Sequence, residues 1–304
     1  MDATRSISSP AVLTLRADLP VPEARVEAAP AIRNVLTIDV EDWPIAVLGP
    51  HYLISDRVLR NTERLMAILR RHGVKATFFV LTKVAQVYPD LIRSIAADGH
   101  EIASHGHSHR LLTAMSPRAF ADDVRRSIDI LGELVGERPM GYRAPAFSVL
   151  PSTRWAGPIL ADLGFQYSSS VFPIHHRRYG NAGAPRHIHR WSDCRLIECP
   201  PATFRLLGQN LPVAGGGYFR LLPGAVARSA IRRLNRSGMP AILYTHPYEL
   251  DVEGVRFHMD CGLSVSPVRH VMQSLFRSRM ERRLDDLLDG FRFTTLRDLL
   301  NQAA

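Results

Sequence analysis

Lysine is almost missing from this sequence. Lys75 and Lys83 are the only two, so the rest of its 38 basic residues are arginines, scattered along the whole chain. The formal charge of +9 therefore does not mark a designed phosphate-binding stripe, and no nucleic-acid partner is expected. Cysteine is scarce as well. Cys194, Cys199 and Cys261 are odd in number and form no C-x-x-C, which argues against a disulfide framework and a zinc knuckle and for a reducing compartment. No apolar run approaches the roughly 20 residues of a membrane span, so no transmembrane segment is expected. Residues 1–34, rich in Pro, Ala and Arg, lack the basic start and long apolar stretch of a secretory signal. They read as a flexible N-terminal arm on a cytoplasmic protein, with one folded domain over 35–300.

What the sequence does have is a regular alternation of hydrophobic period. Hydrophobic residues make up 46% of 304 positions, enough for a substantial core. "VLTIDV" (35–40) is a short apolar run ending in acids, and "RVLRNTERLMAILRRHG" (57–73) carries Val58, Leu65, Ile68 and Leu69 at helical spacing. "VKATFFVL" (74–81) reads as a buried strand, "YPDLIRSIAADG" as a short helix and "HEIASH" as the next strand. Ser116-Pro117 opens a further helix as N-cap and first helical residue. The cycle continues through "MGYRAP", "STRWAGPILADLG", "FQYSSS", "RLIECP", a turn-rich "LPVAGGGYFRLLP", a helix at 224–237 and the strand "AILYTH". Alternating β and α units of this length predict an α/β fold on a parallel sheet, open or closed into a barrel, with a C-terminal helix closing it.

Polar residues fall at the predicted C-terminal ends of those strands. Asp39, Glu41 and Asp42 come first, then His105 to His109, Arg143, Ser168 to Ser170 and His246. In a parallel α/β barrel these ends share one face, where active sites form. His105 and His109, four positions apart in "HGHSH", suit a three-ligand divalent metal site completed by a carboxylate from elsewhere. His107 alternates to the other side of an extended segment and His100 precedes the strand, so neither is expected to bind metal. Three carboxylates within "TIDVEDW" repel one another unless a cation or a catalytic task compensates. Arg143, in "GYRAP", is placed to pair with one of them and hold it ionised.

In this order, the acid cluster, H-x-x-x-H, R-x-P, the serine strand and an apolar strand ending in His, the chain resembles the polysaccharide deacetylase superfamily, also called the NodB-homology or carbohydrate esterase family 4 domain. The wording of "DVEDW", "GYRAPAFS", "SSSVFPIHH", "LPVAGGGYFRLLP" and "THPYELD" looks closest to the subgroup found in exopolysaccharide loci alongside exosortase. The resemblance, over about Val35 to Phe291, implies a distorted (β/α)7-type barrel and a hydrolase that removes N-acetyl groups from an N-acetylglucosamine-type polysaccharide. It implies one divalent metal ion, zinc first, held by His105, His109 and either Glu41 or Asp42. It implies Asp39 as general base, Arg143 steadying it, and His246 as general acid. Substrate and oxyanion contacts are expected from Ala144, Pro145 and Ser168.

Two departures stand out. Relatives carry T-F-D-D-G where this chain reads "TIDVEDW", so the ligand and the base cannot be told apart by adjacency. Relatives also read Y-D-S-S where this chain has "YSSS", which puts Ser168 at an aspartate position. If that aspartate orients the catalytic imidazole, His246 needs another acid, and Asp251 is the candidate. An O-acetyl esterase, a small cyclic amide hydrolase and a catalytically weakened carbohydrate-binding domain are the alternative readings.

Overall fold

In the computed structural model, residues 32–176, 179–213 and 215–302 are described. The arm expected over 1–34 falls outside them except for its last residues, since the first strand already begins at Arg33.

The strands are β1 (Arg33–Val40), β2 (Thr77–Val80), β3 (Glu101–Ser104), β4 (Gly141–Tyr142), β5 (Tyr167–Ser168), β6 (His189–Arg190), β7 (Ile197–Glu198), β8 (Thr203–Leu206), β9 (Gln209–Pro212), β10 (Ile242–Thr245) and β11 (Arg292–Thr294). The helices are α1 (Trp43–Val47), α2 (Asp56–Arg71), α3 (Thr82–Val87), α4 (Pro89–Ala97), α5 (Pro117–Val135), α6 (Ala156–Asp162), α7 (Gly216–Leu221), α8 (Gly224–Arg236), α9 (Gly254–Asp260), α10 (Pro267–Ser274), α11 (Met280–Gly290) and α12 (Leu296–Asn301). One sheet runs β10-β1-β2-β3-β4-β5-β7, every neighbour parallel, with β6 added antiparallel at the end. This is the α/β parallel sheet that the alternation predicts, with the seven parallel strands of a distorted barrel.

The barrel is not closed by a strand ladder between β7 and β10 among the described residues. Isolated contacts stand in its place: the Ala202 N–H donates to the Ile242 carbonyl at 2.9 Å, and Gly215 makes a single bridge to Tyr244. Two parts of the chain differ from the sequence reading. The turn-rich "LPVAGGGYFRLLP" contains α7, and the last residues add β11 along the start of β1 as well as the expected helix α11. The N–H groups of Leu296 and Arg297 then donate to Thr77 and Glu101, the first residues of β2 and β3. The C-terminus thereby seals the ends of the sheet opposite the polar clusters.

Local chemistry explains the main elements. Ser55 caps α2 by accepting from the Arg57 N–H, and Val58, Leu65, Met66, Ile68 and Leu69 bury one face of it. Ser116 caps α5 by accepting from the Ala119 N–H, Pro117 occupies its first position, and Gly136 ends it with φ 76°. The strand residues Ile38, Phe78, Phe79 and Val80 are fully buried, as a sheet covered on both faces requires. Among the described residues, no helix is long and apolar enough to cross a membrane.

The packing between β4 and β5 has no room to spare. A Cβ at Gly141 would fall 2.0 Å from Cζ of Tyr167, a buried ring whose hydroxyl donates to Glu101 at 2.7 Å. Gly141→Ala should therefore destabilise the protein by about 1–3 kcal/mol, read as a lower urea midpoint. Gly290→Ala, with nothing within 4 Å of the new methyl, is the control expected to stay within about 0.5 kcal/mol.

Candidate metal centre and active site

Three segments deliver the metal-ligating candidates. Glu41 follows the last residue of β1, His105 follows β3, and His109 lies in the loop beyond it. Their ligand atoms lie within 4.8 Å of one another, and all three residues are buried. Nε2 of His105 is 3.4 Å and Nε2 of His109 is 2.5 Å from Oε2 of Glu41. Neither Glu41 Oε2 nor His109 Nε2 meets hydrogen-bond geometry with any partner, so two buried polar atoms are left facing one point. Burial alone would push the Glu41 carboxyl up, but the imidazoles of His109 and His105 outweigh it and hold it well below the usual range.

The loop is built for this convergence. His105 Nδ1 sits 2.9 Å from the Arg143 carbonyl, so Nδ1 carries the proton and donates it, and Nε2 keeps a lone pair toward Glu41. Asp123, on α5, accepts from the N–H groups of His107 and Ser108 at 2.8 and 3.0 Å and clamps the loop between the two candidate ligands. His109 itself has φ 56°, a left-handed conformation uncommon for a non-glycine residue and one that collects at functional sites. Two buried imidazoles and a carboxylate with unsatisfied atoms fit a divalent cation as donors and as charge. His107 bonds Thr82, and His100 accepts from the Ala76 N–H. Neither reaches this point.

Asp42, the open alternative to Glu41, is turned away. Its carboxylate accepts from the Trp43 N–H at 2.9 Å and the Ser55 N–H at 2.6 Å, so it caps α1 and ties down the entry to α2. Burial pushes its carboxyl up to about 6 despite these bonds.

Beside the triad stand two paired groups. Arg143, fully buried, donates from NH1 to Asp39 Oδ1 and to Thr37 at 2.7 Å each, and from Nε and NH2 to the carbonyl and hydroxyl of Ser169. Its guanidinium lies 4.1 Å from the centre of the Phe79 ring. On the other side, His246 Nδ1 donates to Glu249 Oε1 at 2.7 Å, and its Nε2 lies 3.8 Å from Asp39 Oδ2 and 3.5 Å from Glu41 Oε1. Burial would lower the His246 pKa, but the Glu249 hydrogen bond and charge, with those of Glu41 and Asp39, raise it overall. Tyr248 stacks on the imidazole, ring centres 4.7 Å apart.

Sequence reasoning misses Glu249 and offers Asp251 as the partner for His246. Asp251 is taken: Arg57 grips it through two nitrogens and Asn61 adds a third bond. The signal for Glu249 is its place three residues after His246, behind Pro247. That spacing eclipses two side chains in a 3₁₀ turn, and Pro247–Leu250 is one.

The remaining expected contacts are also redirected. Ser168 is buried, with its hydroxyl bonded to Ser170. The Ala144 N–H is spent on the Ser170 hydroxyl at 2.9 Å, and Pro145 has no N–H to offer an oxyanion. Instead Ala146 and Phe147, at φ 48° and 50°, line the cleft next to the triad. The serine strand thus supports the site from behind. The cleft, about 430 Å³, is lined by Asp39, Glu41, His105, His109 and His246 together with Tyr179, Tyr218 and Tyr244.

A parallel sheet thus places a Glu/His/His set, a buried Arg143–Asp39 pair and a His246–Glu249 pair at its strand ends, the face where α/β folds carry their sites. Residues 49–168 match the profile described as polysaccharide deacetylase, and residues 169–301 match a domain of unknown function (DUF3473). The first of these two parts is similar to the polysaccharide deacetylases. The chain is 32% identical over 125 residues to a peptidoglycan-N-acetylglucosamine deacetylase of Bacillus cereus, covering 38% of this chain and 46% of that protein. It is 38% identical over 66 residues to a chitooligosaccharide deacetylase of Rhizobium leguminosarum bv. trifolii, covering 22% and 31%. The chain thus spans less than half the length of these curated relatives. A solved Mycobacterium smegmatis structure assigned to the polysaccharide deacetylases aligns with a TM-score of 0.60 at 22% identity, over 90% of this chain and 92% of that one. That likeness concerns the fold.

Metal uptake tests the ligand geometry. In equilibrium dialysis against zinc, His105→Ala, His109→Ala and Glu41→Ala should each lose the bound ion, while His107→Ala and Asp42→Asn should keep it. Loss of the ion from Asp42→Asn as complete as from Glu41→Ala would remove Glu41 as the third ligand.

Proposed function

We propose that the protein is a metal-dependent hydrolase that removes N-acetyl groups from an amino-sugar polymer of the N-acetylglucosamine type, an exopolysaccharide in the reading favoured by the sequence wording. One observation carries this. Within a single cleft, a Glu41/His105/His109 set lies against a carboxylate held by a buried arginine and an imidazole held by a buried carboxylate. These are the parts amide hydrolysis needs: a place for the carbonyl, a base for water and an acid for the departing amine. The named activities of the curated relatives support the same substrate class.

Glu41, His105 and His109 would hold the cation, zinc by the chemistry of two imidazoles and one carboxylate. Such an ion polarises a carbonyl and makes a bound water more acidic. Asp39 takes the proton from the attacking water through Oδ2, while Arg143 fixes Oδ1. Ala146 and Phe147 shape the wall beside the carbonyl. His246, protonated on both nitrogens, gives its Nε2 proton to the sugar amine as the carbon–nitrogen bond breaks, and Glu249 stabilises the imidazolium. The net change is amide plus water to acetate plus amine. With Glu249 in this place, the serine at 168 does not leave His246 without a carboxylate, so no weakened binding-only role is needed to account for it.

Acetate release from N-acetylglucosamine oligomers by zinc-loaded protein tests the reading. Measurable turnover is expected, with loss on chelation and recovery on adding zinc back. Full zinc occupancy with no acetate from any acetylated amino-sugar oligomer or polymer would end it. The pH profile tests the acid. Since His246 acts only when protonated and Glu249 raises its pKa, Glu249→Gln should move the basic limb of kcat to lower pH. The loss at pH 8 should then exceed the loss at pH 6, up to the roughly 10²–10⁴-fold that general acid catalysis supplies. A basic limb that does not move assigns the acid elsewhere.

A further inference from the structure

Charge is spread unevenly along the chain. Between Glu198 and Glu249 the sequence has no acidic residue, while Arg205, Arg220, Arg228, Arg232, Arg233 and Arg236 fall within that stretch. Arg220 is buried, and Arg228 faces Asp286 of α11 at 3.4 Å. Arg205 on β8 and Arg232, Arg233 and Arg236 in the last turns of α8 are exposed. None of these four borders the cleft.

Next to them lies an apolar surface. β8 and β9 form a two-stranded hairpin apart from the main sheet. Pairing sets Phe204 opposite Leu211 and Leu206 opposite Gln209, so Phe204, Leu206 and Leu211 share one face. Leu206 is 49% and Leu211 40% exposed. The other face is fastened to the molecule, since Asn210, opposite Arg205, donates to the Pro173 carbonyl at 2.8 Å. At the tip, Leu207 and Gly208 turn the chain with φ 48° and 78°. A turn with two left-handed central residues selects Asn, Asp or Gly, and a leucine there is strained. Leu207 is 94% exposed, so packing within the protein does not account for it.

Arg233 joins the two features. Its guanidinium lies 5.5 Å from the centre of the Phe204 ring, a member of the apolar face. Arg236 stands three residues after Arg233 and four after Arg232, which makes it a neighbour of both on the helix surface. An apolar tip rimmed by cations, with no acid in its own segment, fits a surface that is apolar within and negative at its boundary. An anionic lipid bilayer has that chemistry. A second copy fits less well, because a two-fold contact through this patch would set the arginines against one another. The polar backbone of a nucleic acid offers nothing to the leucines.

We propose that the β8–β9 hairpin and the last turns of α8 form a docking surface for a membrane that carries anionic lipid. Leu206, Leu207 and Leu211 enter the headgroup–acyl boundary, and Arg232, Arg233 and Arg236 meet headgroup phosphates. The contact is peripheral, lies apart from the cleft and does not depend on the activity proposed above.

Co-sedimentation of the full-length protein with vesicles tests this, using phosphatidylcholine alone and phosphatidylcholine with about one third phosphatidylglycerol. Wild type should bind the anionic vesicles and not the neutral ones, and raising salt from about 0.1 M to about 1 M should release it. Leu207→Asn, whose new side chain suits a left-handed turn, should keep or raise the urea midpoint yet weaken vesicle affinity about tenfold. Arg232→Gln combined with Arg236→Gln should weaken it about tenfold or more. No binding to anionic vesicles overturns the proposal, and so does binding that both variants leave unchanged. A dimer in sedimentation velocity that Leu207→Asn dissolves, without vesicle binding, gives the surface to a second copy instead. Binding to duplex DNA as tight as to vesicles, and equally indifferent to Leu207→Asn, reduces it to general attraction for polyanions.

Discussion

The guanidinium of Arg143 is the constraint on which the site depends. A fully buried arginine is tolerated only when its donors are satisfied, and here the partners come from Thr37 and Asp39 on β1 and from Ser169 after β5. Its own backbone adds the Ser104 carbonyl as acceptor for its N–H, and its carbonyl accepts from His105. One residue therefore fixes the spacing of the strand ends that carry the candidate base and a candidate ligand. Removing it would leave the Asp39 carboxylate buried without its ion pair, at a cost of about 3–5 kcal/mol.

Around that hub, chemically similar carboxylates take different roles because their neighbours differ. Asp39 faces a guanidinium, Glu41 faces two imidazoles, Asp42 faces two backbone N–H groups, and Glu249 faces His246. Glu249 Oε2 also lies 3.9 Å from Arg220 Nε, a second buried arginine, whose NH1 and NH2 are bonded to the carbonyls of Leu275 and Met272. The imidazole side of the site thus has beside it a charge from α7, held in turn by backbone carbonyls at the end of α10, both elements outside the deacetylase profile. The two halves of the chain meet at the cleft, one with metal-ligating geometry and the other with aromatic surface and charge support.

Much of this architecture is legible in the order of residues alone. The alternation of strand-like and helix-like periods predicts the parallel sheet because period follows from backbone geometry. Asp39, His105, His109, Arg143 and His246 stand out because parallel strands bring their C-terminal ends to one face whatever the details of packing. Choices between neighbours are not legible in the same way. Glu41 and Asp42 are adjacent, and the direction each carboxylate takes is set by where β1 stops and α1 begins. Ala144 looks free to bind an oxyanion, but the Ser170 hydroxyl, from beyond another strand, takes its N–H.

By itself, then, the sequence determined the class of fold and the strand ends that carry chemistry, which rest on local periodicity and on residue types at short spacing. Tertiary structure decided which acid faces the histidines, that Glu249 and not Asp251 or residue 168 holds His246, and that the hydroxyls of two tyrosines 39 positions apart meet. The physical reason is that a buried hydrogen bond or ion pair needs its partners within about 3 Å at a set angle. Such a distance depends on how separate strands and loops pack against one another, which no local pattern in the chain records.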